Sequence, residues 1–480
     1  MIPDFPASLD QVTTQGLAPE VVSRVADLGR QIEQMAADQA RLADLVGLDS
    51  ASRTQSWIEV FNGYVGVLVI AFLVTLIATP IMRRLALANG VIDHPSDPRK
   101  VHRVPIAYLG GVAVYLGIMA GIFTSYVGIN HPSLISFHDS LPETPFGVLD
   151  YRMVPPWILL GLTIIMVIGL IDDVTGISPR VKIGGQLLAA AALAYGDIGV
   201  KVAQGVLMPT LGKLLHNPDL FYSIPLGFDV PLIGSAINVD IIYWTGTAVI
   251  AVFVLGACNA SNLIDGLDGL LSGVTGIATV GLLAIALLMA FTHPGPRDAQ
   301  RIILCMAVLG ACLGFLPHNF NPATIFLGDC GSLLLGYSTI VIILTLGDTG
   351  RTDFVIAGLI VYAIPILDTV LAIVRRKMEG KSMSDPDSDH LHHMLKRSFG
   401  VKGAVFIMYG MGAAFAVIGV VLAASGAKFV YSLALLCASF IVVYSMKIAR
   451  RKQLEQQAME RAMPAPAPAE RASEPESATV

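Results

Sequence analysis

Long apolar runs separated by short polar connections make up most of this chain. Ten runs between residues 61 and 446 are long enough, and poor enough in charge, to cross a bilayer as helices. A shorter run, residues 183–195, is an eleventh candidate, because helices buried in a bundle tolerate fewer than twenty residues. The pattern therefore predicts an all-α polytopic membrane protein with about 11 transmembrane helices. The ten longer runs are 61–82, 106–127, 154–171, 241–258, 269–291, 302–317, 331–347, 354–374, 403–427 and 429–446.

Three segments depart from this pattern of long apolar runs. Residues 197–240 alternate Val, Ile, Leu and Phe with Gly and Pro, which predicts a small β-hairpin-like structure outside the bilayer. Residues 1–56 are polar with apolar positions every three to four residues, which predicts an amphipathic, extracytoplasmic helical extension. Residues 447–480 are rich in Pro, Ala, Glu and Ser, a composition typical of a disordered tail. The membrane domain then spans residues 57–446.

Composition excludes several classes of protein. Residues are 54% hydrophobic and 14% charged, with a mean hydropathy of +0.68, which is too apolar for a soluble globular protein of 480 residues. The net charge of -5 is spread along the chain, so nothing indicates a nucleic-acid partner. Five cysteines without a CxxC spacing argue against a disulfide framework or a zinc site. The N-terminus lacks a basic region followed by an apolar core, so we expect no cleaved signal peptide.

Lysine and arginine counts predict the orientation of the helices. Eleven crossings divide the connections into two sets, and Lys plus Arg number 18 in one set against 7 in the other. The first set should face the cytoplasm, because cytoplasmic connections carry the excess of cations. Every unusual polar cluster of the chain falls in this set, although the sorting used charge alone.

One polar cluster, NASNLIDGLD at residues 259–268, lies between two apolar runs. Asn259, Asn262 and Asp265 are spaced by three, so they share one face if the preceding helix continues. Gly266 frees the backbone to aim Asp268 separately. The cluster predicts a site that faces a metal ion or a nucleotide; the alternative is a turn whose side chains cap helix ends.

Further carboxylates lie where apolar runs begin or end. Asp172 and Asp173 end a run, where each meets the other's charge and the negative end of the helix dipole, so a cation should lie nearby. A solvated acidic loop is the alternative. Asp329, in FLGDCGS, just precedes a run and suits either helix capping or a site for metal and phosphate. Asp368 lies inside a run, which indicates function unless it pairs with Arg375 or Arg376.

Two connections supply cations. Lys100 and His102 lie in a proline-bounded loop, where topology bias or attraction to anionic lipid is the alternative explanation. His390, His392 and His393 cannot all face one ion from a regular helix and have no cysteine partners, which disfavours a transition-metal site. Contact with phosphate fits these histidines better, with a solvated loop as the alternative.

Five motifs together give the chain a resemblance over about residues 60–450. It resembles the polyprenyl-phosphate N-acetylhexosamine-1-phosphate transferases, which include UDP-GlcNAc:undecaprenyl-phosphate GlcNAc-1-phosphate transferases and phospho-MurNAc-pentapeptide translocase. One motif alone would be weak, whereas five in order are specific. The motifs are RKVHRVP from Arg99 with the glycines to Gly111, LIDDVTGISPRVK from Leu170, NASNLIDGLDGL from Asn259, FLGDCGS from Phe326 and DHLHHML from Asp389.

The resemblance implies an activity. It implies transfer of N-acetylhexosamine-1-phosphate, with GlcNAc-1-phosphate favoured, from a UDP-sugar to polyprenyl (undecaprenyl) phosphate. The products are polyprenyl-diphospho-sugar and UMP, and the reaction initiates a cell-surface glycan. It further implies a Mg²⁺ cofactor, with Mn²⁺ as the alternative ion, and a bacterial inner (plasma) membrane enzyme with its active site on the cytoplasmic face. Membrane lipids are further partners, and a homodimer stays open.

The resemblance also assigns roles to residues of this chain. Asp172, Asp173 and Asp329 are the catalytic candidates, and Asp329, Asp173 and Asp265 are the metal candidates. The substrate-binding candidates are Lys100, His102, Asn259, Asn262, Asp265, Asp268, Asp368, Arg375, Arg376, His390, His392 and His393.

Two alternatives to this function stay open at the level of sequence. The histidine motif lacks a longer His-rich segment, which favours a simple HexNAc-1-phosphate donor over the phospho-MurNAc-pentapeptide transferase alternative. A secondary transporter is the alternative from another class, but transporter sites lie near the midplane and repeat in two halves, whereas these clusters line one face.

Overall fold

A computed structural model of the chain describes residues 56–93, 105–138, 152–230, 234–378, 390–426, 428–433 and 436. The predicted N-terminal helix, the predicted disordered tail, Lys100 and His102 lie outside these residues.

Helices form nearly all of the regular structure in these ranges, as the apolar runs predict. Their bounds are α1 (Trp57–Ala88), α2 (Gly110–Gly128), α3 (Pro156–Thr175), α4 (Pro179–Tyr195), α5 (Gln204–Leu207), α6 (Ile241–Ile264), α7 (Leu270–Thr292), α8 (Asp298–Asn319), α9 (Gly328–Thr345), α10 (Thr352–Val361), α11 (Ala363–Met378) and α12 (Leu391–Ser425).

Eight of these helices are long and apolar enough to span a membrane, and two bent helix pairs raise the number to ten if each pair is one span. The prediction of an all-α polytopic membrane protein is therefore confirmed for the described residues. The shorter run, residues 183–195, corresponds to α4, which begins four residues earlier at Pro179. The last predicted run, residues 429–446, lies almost wholly outside the described ranges.

One predicted span is broken. The run at residues 354–374 was predicted as a single helix, but the structure divides it into α10 and α11, which are bent by 79°. Pro365 explains the break, because a proline has no N–H for the carbonyl of Val361 and its ring clashes with that carbonyl in a continuous helix. Pro365 lies in the first turn of α11, where a backbone N–H would have no acceptor within that helix, so its absence there costs little. We call this bend, at Tyr362, the elbow.

The predicted hairpin is present in part of the segment assigned to it. Strands β3 (Phe221–Val230) and β4 (Gly234–Asp240) pair antiparallel, from Phe221 opposite Asp240 to Val230 opposite Gly234. The segment from Val200 to Gly212 is helical instead, with 3₁₀, α and π turns, so its assignment to β structure was wrong. Its backbone bonds are local, as from the Val202 amide to the Gly199 carbonyl, and Val200 and Val202 are buried.

Central and peripheral helices differ in burial. Helices α8 and α9 are mostly buried inside the bundle, whereas α1, α3 and α6 expose one side along most of their length. Such exposed apolar sides suit contact with lipid. The candidate site lies where several helix ends meet. These are the C-terminal ends of α3 and α6 and the N-terminal ends of α4, α9 and α12, whose residues contact one another.

Candidate functional site

Asp329 is the centre of the polar cluster at these helix ends. Its two carboxylate oxygens accept hydrogen bonds from Lys182 Nζ and, at 2.6 Å, from Asn262 Nδ2. Asn262 Nδ2 also lies 2.9 Å from Ser332 Oγ, one turn further along α9. Helices α4, α6 and α9 thus each contribute a polar side chain to one point. The Asp329 carboxylate keeps about 30% of its surface accessible.

Asp173, rather than Asp329, caps helix α9. Its carboxylate oxygens accept hydrogen bonds from the amides of Asp329 and Cys330, at 2.7 and 3.0 Å. A carboxylate there is stabilised by the positive end of the helix dipole. Gly328 has a φ of +68°, and a side chain at that position would collide with the Asp173 oxygens. The contact therefore explains why a glycine begins α9.

This contact changes two expectations drawn from the sequence. Capping by Asp329 is ruled out as its role, because its carboxylate bonds to Lys182 and Asn262 while Asp173 satisfies the amides. The N-terminus of α9 also cannot offer the amides of Asp329 and Cys330 to a phosphate, since Asp173 occupies them. An anion bound here would have to be held by side-chain cations instead.

Lys182 supplies the cation that the adjacent carboxylates were expected to need. Its ammonium lies 3.0 Å from Asp172 Oδ2 and also pairs with Asp329. The other oxygen of Asp172 accepts a hydrogen bond of 2.9 Å from the amide of Ile177, in the turn between α3 and α4. Lys182 is absent from the predicted substrate contacts. Its position in the LIDDVTGISPRVK motif, ten residues after Asp172, was the available indication.

The Asn259 segment (residues 259–268) contributes side chains at two depths. Asn259 lies one turn deeper in the bundle than Asn262 and donates 2.9 Å to Oε1 of the buried Gln186. Asp265 follows the end of α6, and in the described residues its carboxylate has no hydrogen-bond or ion-pair partner. Burial, together with smaller contributions from the carboxylates of Asp329, Asp173 and Asp268, raises the pKa of Asp265 to about 8. The region therefore favours binding of a cation.

Asp268 supports a neighbouring loop. Its Oδ2 accepts hydrogen bonds from Asn321 Nδ2 at 2.9 Å and from the amide of Ala323 at 3.0 Å. Asn319 ties the same two segments together by accepting from the amide of Gly269. The structure thus gives Asp268 a structural role between the turn before α7 and the loop before α9.

The histidine segment (residues 390–395) packs against the Asn259 segment. Asp368 accepts hydrogen bonds from His390 Nδ1 at 3.0 Å and from the amide of Leu391 at 2.9 Å, so it fixes the start of α12. A side chain added at Gly266 would lie 2.5 Å from Nε2 of His392, which shows how closely the two segments approach. Asp368 has a partner in His390, and Arg375 and Arg376 lie further along α11.

The three histidine rings lie together even though one regular helix could not align them. His390 precedes α12, and its ring stacks on that of His392 with centroids 5.6 Å apart, while His392 and His393 are 4.2 Å apart. In the described part of the chain, no three His, Cys, Asp or Glu side chains are arranged to hold a metal ion together.

The two ends of the loop that carries Lys100 and His102 pair with each other, and the second end is joined to the segment before α9. Strands β1 (Ile92–Asp93) and β2 (Ile106–Ala107) pair on either side of the loop. The amide of Phe326 donates 2.9 Å to the carbonyl of Ala107, which joins β2 to the segment before α9. Tyr108, which sequence reasoning missed, adjoins Asp93, and burial together with nearby carboxylates raises its pKa.

The donor set fits Mg²⁺ bound jointly with a substrate. Mg²⁺ prefers oxygen ligands and is commonly held by one or two carboxylates plus substrate phosphates, so a cage of three protein ligands is not required. Asp329 is partly exposed, and the Asp265 carboxylate has no partner in the described ranges. Both oxygens of Asp173 are held by backbone amides, which cannot move aside as the side chains of Lys182 and Asn262 on Asp329 can, so Asp173 is the weakest of the three metal candidates.

Comparisons with known proteins identify the family of the chain. The sequence model described as "Glycosyl transferase family 4" matches residues 156–347, which include Asp172, Lys182, the Asn259 segment and Asp329. A Bacillus subtilis protein named "Probable undecaprenyl-phosphate N-acetylglucosaminyl 1-phosphate transferase" is 31% identical over 359 residues, 74% of this chain and 83% of that protein. The chain belongs to the polyprenyl-phosphate N-acetylglucosamine-1-phosphate transferase family.

Other members of the family are similarly related. A decaprenyl-phosphate N-acetylglucosaminephosphotransferase of Mycobacterium tuberculosis is 33% identical over 68% of this chain and 74% of its own length. An undecaprenyl-phosphate α-N-acetylglucosaminyl 1-phosphate transferase of Escherichia coli K12 is 29% identical over 72% of this chain and 80% of its own. Membership identifies the protein as a multi-pass membrane enzyme and sets aside the transporter alternative.

Proposed function

We propose that this family member transfers GlcNAc-1-phosphate from UDP-GlcNAc to undecaprenyl phosphate in a Mg²⁺-dependent reaction, as the first step of a cell-surface glycan. The observation that supports this most strongly is the position of Asp329. It lies between Lys182 and Asn262, with Asp172 beside Lys182 and the histidine segment packed on the Asn259 segment. Carboxylates, amides and cations meet at one end of a membrane-spanning bundle, where a lipid phosphate can reach them.

In the proposed reaction, an oxygen of the carrier phosphate forms a bond to the β-phosphorus of the UDP-sugar. The bond from that phosphorus to the bridging oxygen breaks, and UMP leaves with the electron pair. Two phosphate-bearing anions must approach each other, so positioning and charge neutralisation supply most of the rate enhancement. The products are undecaprenyl-diphospho-GlcNAc and UMP.

Residues of the chain have distinct tasks in this proposal. Lys182 holds Asp172 and Asp329 in place and adds positive charge beside the diphosphate. Asn262 orients Asp329, and His390 and His393, whose ring centroids lie 6.3 Å apart, would donate to a phosphate. Asp329 and Asp265 would hold Mg²⁺, which when bound stabilises charge on the transferred phosphate.

The choice of donor is the first prediction. We expect UMP release and lipid product with UDP-GlcNAc, and activity at least tenfold lower with UDP-MurNAc-pentapeptide, because the histidine motif lacks a longer His-rich segment to contact a larger donor. Purified protein, undecaprenyl phosphate, Mg²⁺ and a panel of UDP-sugars give the measurement. A comparable rate with the pentapeptide donor would instead support the phospho-MurNAc-pentapeptide transferase alternative.

The orientation of the site is the second prediction. Single cysteines at Ser96 and Ser388 should stay unlabelled by an impermeant reagent in intact cells, and a cysteine at Ser140 should be labelled, because the cation count places the first two in the cytoplasm. Wild type controls for background, since its cysteines in the described ranges are buried. Labelling at position 96 or 388 in sealed cells would reverse the proposed orientation.

A further inference from the structure

A buried cluster of hydroxyl groups lies between the helices that carry the candidate site. Tyr362, at the elbow, is fully buried, and its hydroxyl bonds to Oγ of the equally buried Ser261 on α6. Thr339 on α9 lies close to the same hydroxyl, and its own Oγ1 donates 2.8 Å to the carbonyl of Leu335. The Tyr362 hydroxyl is therefore bonded to α6 and lies beside α9.

The space around this cluster leaves little freedom for movement. Gly336 faces α6 so closely that an added side chain would lie 2.5 Å from the carbonyl oxygen of Ala257 and 2.6 Å from Ser261 Oγ. Backbones that approach this closely in a membrane bundle pack through small residues and interhelical hydrogen bonds. A hydroxyl at position 362 is thus held between two helices that touch.

Ser261, Thr339 and Tyr362 each lie on an element that also carries, or directly precedes, a part of the candidate site. Ser261 is adjacent to Asn262, and Thr339 lies on the same helix as Asp329. Tyr362 stands at the elbow, six residues before Asp368, whose carboxylate fixes His390 and the start of α12. The elbow therefore sets where the Asp368–His390 pair stands relative to the Asp329–Asn262 pair.

We infer that Tyr362 is a positioning residue: its hydroxyl ties the elbow to Ser261 on α6 and thereby holds the histidine segment in place relative to Asp329. The catalytic consequence of this inference rests on the proposed function, whereas the effect of the hydroxyl on the position of the elbow does not. Two groups that act on one phosphate must both be in place, and a misplacement of about 1 Å can cost on the order of a hundredfold in rate. Each group would still bind its substrate on its own, so KM would change little.

Tyr362→Phe tests this role, because it removes one oxygen and keeps the ring. We expect kcat to fall at least tenfold, while KM for both substrates and the thermal unfolding temperature change little. Tyr337→Phe is the matched control: Tyr337 is fully buried on α9, and its hydroxyl has no hydrogen-bond partner in the described part of the chain. The control should keep kcat within about twofold of wild type.

Ser261→Ala extends the test to the partner and replaces Tyr362→Phe if that variant folds poorly. It should show the same loss of kcat, and the double variant should lose no more than either single one, because both changes remove one interaction. An unchanged kcat in Tyr362→Phe would overturn the inference. The inference would also be overturned if the loss of kcat in both single variants came with unfolding. A double variant whose loss of kcat equalled the product of the two single losses would overturn it as well.

A distance measurement separates this inference from the proposed function. Spin labels at Leu188 on α4 and Phe399 on the first part of α12 use exposed positions on two of the helices that carry the site. Tyr362→Phe should shift or broaden the distance distribution, and Tyr337→Phe should leave it unchanged. An unaltered distribution in Tyr362→Phe would contradict the positioning role. Failure of the proposed function would appear separately, as a wild type that makes no GlcNAc lipid product.

Discussion

Replacing Asp329 with asparagine is expected to lower turnover at least about a thousandfold, equivalent to about 4 kcal/mol of transition-state stabilisation, at every Mg²⁺ concentration. Asparagine keeps an acceptor for Asn262 but loses the charge that pairs with Lys182 and that a hard cation prefers. The fold should survive, because Asp173 and not Asp329 caps α9. The assay is single-turnover lipid product formation by a purified, monodisperse variant.

Asp240→Asn is the matched control for this prediction. Asp240 caps α6 by accepting from the amide of Tyr243 at 2.9 Å, and asparagine is an equally good cap, so activity and stability should hardly change. If Asp329→Asn kept more than about a tenth of wild-type turnover, a loss under about 1.4 kcal/mol, its carboxylate would not serve the reaction. The proposed metal ligation would then pass to Asp265 and Asp172.

Replacing Lys182 with methionine is expected to lower kcat/KM for the donor about a hundredfold, or about 2.7 kcal/mol. Methionine fills much of the space of the lysine stem but leaves Asp172 and Asp329 without the cation they share. Two carboxylates then repel the incoming diphosphate as well as each other. Steady-state kinetics over a range of donor concentrations measures the loss, and Lys182→Arg should recover part of it by restoring the charge.

Lys213→Met is the matched control, because it makes the same chemical change at an exposed lysine between Gly212 and strand β3. It should leave kcat/KM for the donor unaltered. The role assigned to Lys182 would be wrong if Lys182→Met stayed within about threefold of wild type, because that is less than 1 kcal/mol. Equal losses in Lys182→Met and Lys213→Met would indicate a general effect of charge instead.

The sequence was sufficient to predict the membrane class and the helices, since an apolar run of spanning length has few other uses. It also placed the polar motifs in one set of connections, and the structure brings the Asn259 segment, Asp329 and the histidine segment together. The break at the elbow could not be predicted from hydropathy, because residues 354–374 are apolar on both sides of it and only Pro365 marks the bend.

The main limit on predicting the site from sequence was that residues in contact there lie far apart in the chain. A carboxylate just before an apolar run suits capping, so Asp329 was a natural cap candidate. The actual cap, Asp173, comes from a helix that ends more than 150 residues earlier, and no local pattern reveals such a contact. Lys182 was partly foreseeable, because two adjacent carboxylates at a helix C-terminus require a cation. Which cation, and that it also reaches Asp329, depends on how α4 packs.

The central claim is that a phosphorus atom moves with the sugar from the donor to the lipid. UDP-GlcNAc labelled with ³²P in its β-phosphate, incubated with the purified protein, undecaprenyl phosphate and Mg²⁺, tests this most directly. We predict that the label appears in the lipid fraction in equal amount to UMP, and that Asp329→Asn abolishes both. Label that stays in water-soluble UDP while sugar enters the lipid, or no transfer at all by the wild-type protein, would contradict the proposed function.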